Sequence, residues 1–168
     1  MNRLAGGWEI GGIYQASSGL PFTAILGGDP LGLNSSDTVE FPDRLFTPEC
    51  KSLVNPGNPN NYIKTQCFAF PNPKTRFGNA GRNTLIGPGL SNFDFSVFKN
   101  NPIHKISETF NAQFRVEIFN VLNHPNFAPP LHNNTVFDTN GHRIATAGLV
   151  DTTATTSRQI QVALKVIW

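Results

Sequence analysis

The most regular pattern in the chain lies between about Thr109 and Asn120, where Phe110, Ala112, Phe114, Val116 and Ile118 alternate with Asn111, Gln113, Arg115 and Glu117. A period of two over this length predicts a β-strand, because successive side chains of a strand point to opposite faces. On a helix the same apolar positions would scatter around the circumference. A second clean segment closes the sequence: Ile160, Val162, Leu164, Val166 and Trp168 alternate with Gln159, Gln161, Ala163 and Lys165. Two weaker segments complete the set. From Trp8 to about Ala24, Trp8, Ile10, Tyr14 and Ala16 share one face, and Gly11 and Gly12 predict a bulge or bend. From Asn92 to Lys99, Phe93, Phe95 and Val97 oppose Asp94 and Ser96 until Phe98 breaks the alternation. About four strands in antiparallel up-and-down order are the expectation, an all-β fold.

The connections between these segments are unequal. One is short, at Asn100 to Ile106 with its Asn-Asn-Pro, and two are long, at about Ile25 to Ser91 and Val121 to Ser157. The short turn falls on one side and both long loops on the other. A compact soluble domain rarely carries structureless loops of that length, whereas short periplasmic turns opposite long extracellular loops are the usual asymmetry of outer-membrane barrels. The pattern therefore predicts part of a transmembrane β-barrel with long extracellular loops. The stretch Asn55-Pro-Gly-Asn-Pro-Asn-Asn61 reads as extended and turn-rich.

Composition agrees with strands and irregular loops. Charged residues are only 14% of the 168, while Gly (15) and Pro (13) are frequent and Phe (14) is heavily used. The formal net charge of +2 is spread along the chain without a polybasic stripe, so nucleic acid is not an expected partner. No run of about 18 apolar residues predicts a transmembrane helix, which says nothing against a barrel, whose alternating strands look soluble on average. Residues Met1 to Gly7 lack the pattern of a signal peptide although the reading demands export, so a fragment or an upstream start is expected.

Candidate chemistry is sparse. Cys50 and Cys67 both fall in the first long loop, and an even pair in an exported protein reads as one disulfide closing it. No CxxC or HxxxH spacing supports zinc, and His104, His124, His132 and His142 stand apart as turn residues. No nucleophile elbow, phosphate loop or dinucleotide motif occurs. Asp94 and Glu117 share the polar side of their strands and could pair for acid/base work, but a polar barrel interior, balanced by Arg115 and Lys165, explains them more simply. Asn34-Ser35-Ser36 and Asn133-Asn134-Thr135 match the glycosylation pattern, a frequent chance match. Neither enzymatic activity nor a cofactor or metal is expected.

Four stretches carry a resemblance: Gly7 to Phe22 (GWEIGGIYQASSGLPF), Phe77 to Gly89 (FGNAGRNTLIGPG), Phe114 to Phe127 (FRVEIFNVLNHPNF) and the final Arg158 to Trp168. They resemble the barrel end of TonB-dependent outer-membrane receptors, most closely those with a carboxypeptidase-regulatory-like domain. The resemblance covers nearly the whole chain, and the Phe-Asn-x-x-Asn-His-Pro-Asn-Phe stretch is its most specific part. It implies that residues 1–168 form the C-terminal segment of a 22-stranded barrel, without the plug, signal peptide or TonB box of a whole receptor. It further implies that Ile160, Val162, Leu164, Val166 and Trp168 carry the signal read by the barrel-assembly machinery. The implied partners are outer-membrane lipid, the remainder of the barrel and plug, and TonB through N-terminal parts alone. The expected role is nutrient uptake or surface recognition within a full barrel. Two rivals follow from the pattern without the resemblance: a soluble antiparallel sandwich acting as a binding or adhesion module, and a hydrolase built on loop carboxylates and histidines.

Overall fold

The structure is a computed structural model that describes residues 5–30, 32, 39–72 and 77–168. Asn34-Ser35-Ser36 lies outside the described residues. The chain forms two compact units. One comprises the described residues of Met1–Ser17, Leu90–Asn126 and Ala154–Trp168; the other comprises those of Ser18–Gly89 and Phe127–Thr153.

The first unit is a single sheet of four strands, β1 (Trp8–Ser17), β2 (Leu90–Pro102), β3 (Asn111–Phe119) and β4 (Gln159–Ile167). They lie side by side in sequence order and every pairing is antiparallel, an up-and-down meander. Two boundaries and one expected bulge differ from the sequence pattern. The glycines make no bulge: the β1–β2 register runs without a shift from Trp8 opposite Lys99 to Ser17 opposite Leu90. They are small because neighbours lean over them; a Cβ on Gly11 would stand 2.8 Å from Ser96 Oγ, and one on Gly12 3.2 Å from the Phe93 ring. β1 also stops at Ser17, and Pro21–Phe22 and Ala24 belong to the second unit. β2 continues past Phe98 to Pro102, so Asn100, Asn101 and Pro102 are strand and the turn spans residues 103–110, closed by the Ile103 N–H donating to the Phe110 carbonyl (2.9 Å).

Register sorts the side chains into two faces, because residues paired across a ladder share a face. One face carries the rows Gly12–Phe95–Ile118–Ile160, Ile10–Val97–Val116–Val162 and Trp8–Lys99–Phe114–Leu164. The other carries Gly11–Ser96–Glu117–Gln161 and Glu9–Phe98–Arg115–Ala163. The apolar face is not packed against a second layer within this unit: Ile10 is 73% exposed and Leu164 69%.

Among the described residues, the buried apolar ones all lie in the second unit. Phe22, Leu26, Ile63, Phe68, Leu85 and Val136 are at its centre. The two long connections are therefore not structureless, contrary to the expectation from their turn-rich sequence. Each lacks enough periodic apolar sequence to fold alone, but together they bury one core. Ile25–Leu26 pairs in parallel with Thr135–Phe137, Pro21–Phe22 antiparallel with Leu85–Ile86, and Asp43–Arg44 antiparallel with Phe68–Ala69. Backbone bonds from Tyr62 N–H to Gly148 O (2.8 Å) and from Val150 N–H to Pro59 O (2.7 Å) stitch one segment to the other. The Asn55–Asn61 stretch curls into a short 3-10 turn at Pro59–Asn61, closed by Asn55 Nδ2 donating to the Asn61 carbonyl (2.9 Å). Burial raises the pKa of Tyr62, which keeps its hydroxyl as a donor to the Ile86 carbonyl (2.8 Å).

Cys50 and Cys67, both buried, are joined in a disulfide across 17 positions of sequence. Closing a loop of that size stabilises the folded unit by about 3 kcal/mol on the chain-entropy estimate. Cys50→Ser with Cys67→Ser is expected to lower the unfolding free energy of this unit by about that amount, followed by protease susceptibility of its loops. Unchanged susceptibility of the double variant would show that the bond adds nothing.

Candidate functional site

The polar face of the sheet is a continuous belt of amides and charges. At the end near the short turn, Asn100 Nδ2 donates to Glu9 Oε1 (2.6 Å), and Asn100 Oδ1 accepts from Asn111 Nδ2 and Gln113 Nε2 (both 2.9 Å). In the middle, Arg115 forms an ion pair with Glu117 (3.2 Å) and lies 4.6 Å from the centre of the Phe98 ring. Phe98, the residue that interrupts the sequence alternation, is thus a stacking platform for a cation on the polar face. Lys99 takes the opposite course. It sits on the apolar face, with its ammonium 5.3 Å from the centre of the Trp8 ring, an arrangement suited to a membrane interface, where a long basic side chain reaches out of the hydrocarbon.

At the other end, three asparagines in the stretch after β3 tie the strands together. Asn120 and Asn123 both adopt the left-handed conformation (φ 50°), which asparagine tolerates better than other residues with a Cβ. That reversal ends β3 and turns the Asn120 side chain inward, where it is 4% exposed. Its Nδ2 donates to the carbonyls of His124 (3.0 Å) and Thr156 (3.1 Å), and its Oδ1 accepts from the His124 N–H (2.9 Å). Its own N–H donates to Asp94 Oδ1 on β2 (2.9 Å). Asn126, 1% exposed, accepts from the Ser91 N–H on β2 (2.8 Å) and donates to Thr155 Oγ1 just before β4 (3.1 Å). Asn123 Oδ1 accepts from the Arg158 N–H (3.1 Å). The clasp joins β2, β3 and the lead into β4 through polar groups that would otherwise be buried without partners.

These asparagines were not singled out as site residues from sequence. The available signal was an Asn-x-x-Asn-His-Pro-Asn run directly after an alternating strand, where short amide side chains replace backbone partners.

The structure distributes the remaining candidates as follows. Asp94 and Glu117 line one small recess of about 110 Å³, yet each has its own partners: Asn92 Nδ2 (2.9 Å) and the Asn120 N–H for Asp94, Arg115 for Glu117. Lys165 lies on the same face but, among the described residues, balances neither carboxylate. His132 and His142 meet Asp151 (3.8 Å) and Asp138 (3.1 Å) at the surface of the second unit. The pKa of Asp138 is lowered, first by the backbone N–H of His142 that it accepts. His124 belongs to the clasp, with Nδ1 3.3 Å from Asn126 Oδ1. Ile160, Val162, Leu164 and Val166 project from the apolar face of β4, and Trp168 follows its last paired residue, 86% exposed.

A sheet with one uncovered apolar face and one polar, hydrogen-bonded face is the wall of a transmembrane β-barrel, in which lipid meets the first and an aqueous lumen the second. The chain matches the family model of the outer membrane beta barrel domain over residues 1–161, and it belongs to that family. It is accordingly an outer-membrane protein of bacteria, and the soluble sandwich is set aside. No curated protein and no solved structure matches the chain.

The clasp yields a test. Asn120→Ala removes both the amide and the residue suited to positive φ, whereas Asn120→Gly restores the backbone freedom alone. Each polar group left unpaired costs about 1–3 kcal/mol, so both variants are expected to lower the amount of heat-modifiable, folded protein in outer membranes, alanine more than glycine. Full recovery with glycine would show that conformation, and not the amide bonds, is what Asn120 supplies.

Proposed function

We propose that the chain works as the C-terminal part of a TonB-dependent receptor, supplying barrel wall, extracellular loops and the final assembly strand for uptake of a nutrient. The observation that carries the reading is the division of the sheet into a lipid-compatible face and an amide-lined face, with β1 and β4 as open edges. Open edges cannot remain in hydrocarbon, so further strands of the same barrel must pair with them. The receptor class is supported by the resemblance of the Gly7–Phe22, Phe77–Gly89 and Phe114–Phe127 stretches to TonB-dependent receptors. On this reading the turn at residues 103–110 is periplasmic, and the disulfide-bonded unit is extracellular. Substrate passes by a lumen lined by the amide belt, the plug and TonB contacts are supplied by N-terminal parts, and the chain performs no catalysis. Its partners are outer-membrane lipid, the remainder of the barrel, and the assembly machinery that reads Ile160, Val162, Leu164, Val166 and Trp168.

Three measurements bear on it. A charge on the lipid face of β4 costs roughly 2–4 kcal/mol near the bilayer midplane and little on the lumen face. Leu164→Arg is therefore expected to deplete the folded protein from outer membranes much more than Gln161→Arg, and loss of Trp168 to deplete it as well. Equal amounts for all three would remove the lipid assignment. For sidedness, a cysteine replacing His132 is expected to react with an impermeant reagent on intact cells while one replacing Lys105 in the short turn stays protected; the reverse pattern would invert the topology. For the receptor class, peptide mapping of the heat-modifiable outer-membrane protein is expected to find a plug domain on the same polypeptide. A mature barrel without one would overturn the TonB-dependent assignment and leave the outer-membrane barrel standing.

A further inference from the structure

Above the Arg115–Glu117 pair, at the clasp end of the polar face, lies an open recess of about 390 Å³. That is within the roughly 300–1,000 Å³ of ordinary small-ligand sites. Its wall is contributed by Asn92 and Asp94 of β2, Phe119 of β3, Thr155 before β4, and Gln159 and Gln161 of β4. Asn120 and Thr156 form the remainder. The clasp holds this wall in place: Thr155 is fixed through Asn126 and Thr156 through Asn120.

The chemistry of the wall narrows what it can take. Among the described residues no lysine, arginine or histidine lines it, so a phosphate, sulfate or carboxylate finds no countercharge there. Asp94 is the one charged group, and its Oδ1 is already occupied by Asn92 Nδ2 and the Asn120 N–H, leaving Oδ2 as an acceptor. The side-chain amides of Gln159 and Gln161 have no partner among the described residues and are exposed to the recess. Each offers a donor and an acceptor side by side, which suits neighbouring hydroxyls that both give and accept hydrogen bonds. Asn92 Oδ1 is a buried acceptor without a donor at the same wall. Phe119 adds an apolar surface on which the C–H face of a pyranose ring can rest.

We infer that this recess is a binding subsite for a neutral, polyhydroxylated ligand of the saccharide class, with Gln159, Gln161 and Asp94 as hydrogen-bonding groups and Phe119 as the stacking surface. The inference rests on the receptor reading, since it gives the polar face to the lumen, and it names the chemical class that such a lumen passes.

The test is calorimetric titration of the intact gene product, extracted from outer membranes in detergent, with three probes: a linear neutral glucose tetrasaccharide, a galacturonic acid tetrasaccharide and spermidine. The neutral tetrasaccharide is expected to bind in preference to the other two. Gln159→Ala with Gln161→Ala, both at exposed positions of β4, is expected to weaken it about tenfold or more, as the loss of one or two hydrogen bonds does. Ile10→Val, on the opposite, apolar face of β1, is expected to leave binding unchanged. Heat-modifiable migration of every sample certifies the barrel. A folded barrel that binds no neutral tetrasaccharide, or binds it equally well in the double variant, overturns the subsite while the receptor reading survives. Tighter binding of spermidine, lost in Asp94→Asn, overturns it in favour of a cation site. Recovery of the protein outside the outer membrane removes the receptor reading and the subsite with it.

Discussion

Every polar group of this sheet must find a partner on one side of a layer whose other side offers none. In water that constraint is mild; beside hydrocarbon an unpaired N–H or carbonyl costs several kcal/mol. Between β1 and β4, whose outer edges stay open, the sheet meets it in two ways. Within the strands the antiparallel ladders pair the backbone, and where the strands end, side-chain amides take over. Asn120 and Asn126 are nearly inaccessible, yet they hold bonds to β2, to the chain after β3 and to the approach of β4. Without them the β3 exit would leave buried carbonyls and N–H groups without partners at the very place where three strands converge.

The two units solve the burial problem differently. The second is stabilised like a small secreted domain, with a single apolar core, a disulfide and irregular backbone paired in short two-residue ladders. The glycines of that unit show how close its backbone segments run: a Cβ on Gly78 would fall 1.8 Å from the Phe41 carbonyl oxygen. Among its described residues the first unit has no buried apolar core. Its stability depends on the surroundings of its apolar face, which is why membership in an outer-membrane barrel family and a layer of exposed Ile, Val and Leu side chains describe the same physical fact.

The amide belt connects this architecture to function. Charges on the polar face are few, Arg115 and Glu117 pair with each other, and amides dominate the rest. Such a surface is hydrated without being strongly charged, and it discriminates ligands by hydrogen-bond pattern more than by net charge. Asp94 and Glu117 take separate partners on this face, and each carboxylate organises its own neighbours.

The sequence by itself determined what is local and periodic. Four alternating segments, their antiparallel order and the apolar face of Ile160, Val162, Leu164 and Val166 were legible because strand faces follow a period of two regardless of what the strand pairs with. The outer-membrane class followed from the same alternation together with unequal loops. Strand parity puts Phe98 on the polar face and Lys99 on the apolar face, and only the tertiary structure showed what accommodates them there: Arg115 lies over the Phe98 ring and Lys99 over the Trp8 ring. It also decided that the long loops share one core, since Ile25–Leu26 meets Thr135–Phe137 across most of the chain and no local pattern marks such a contact. The asparagine clasp is of the same kind. Its residues read as turn formers, and what makes them structural is partners on other strands, which distance in sequence conceals and folding brings within 3 Å or so.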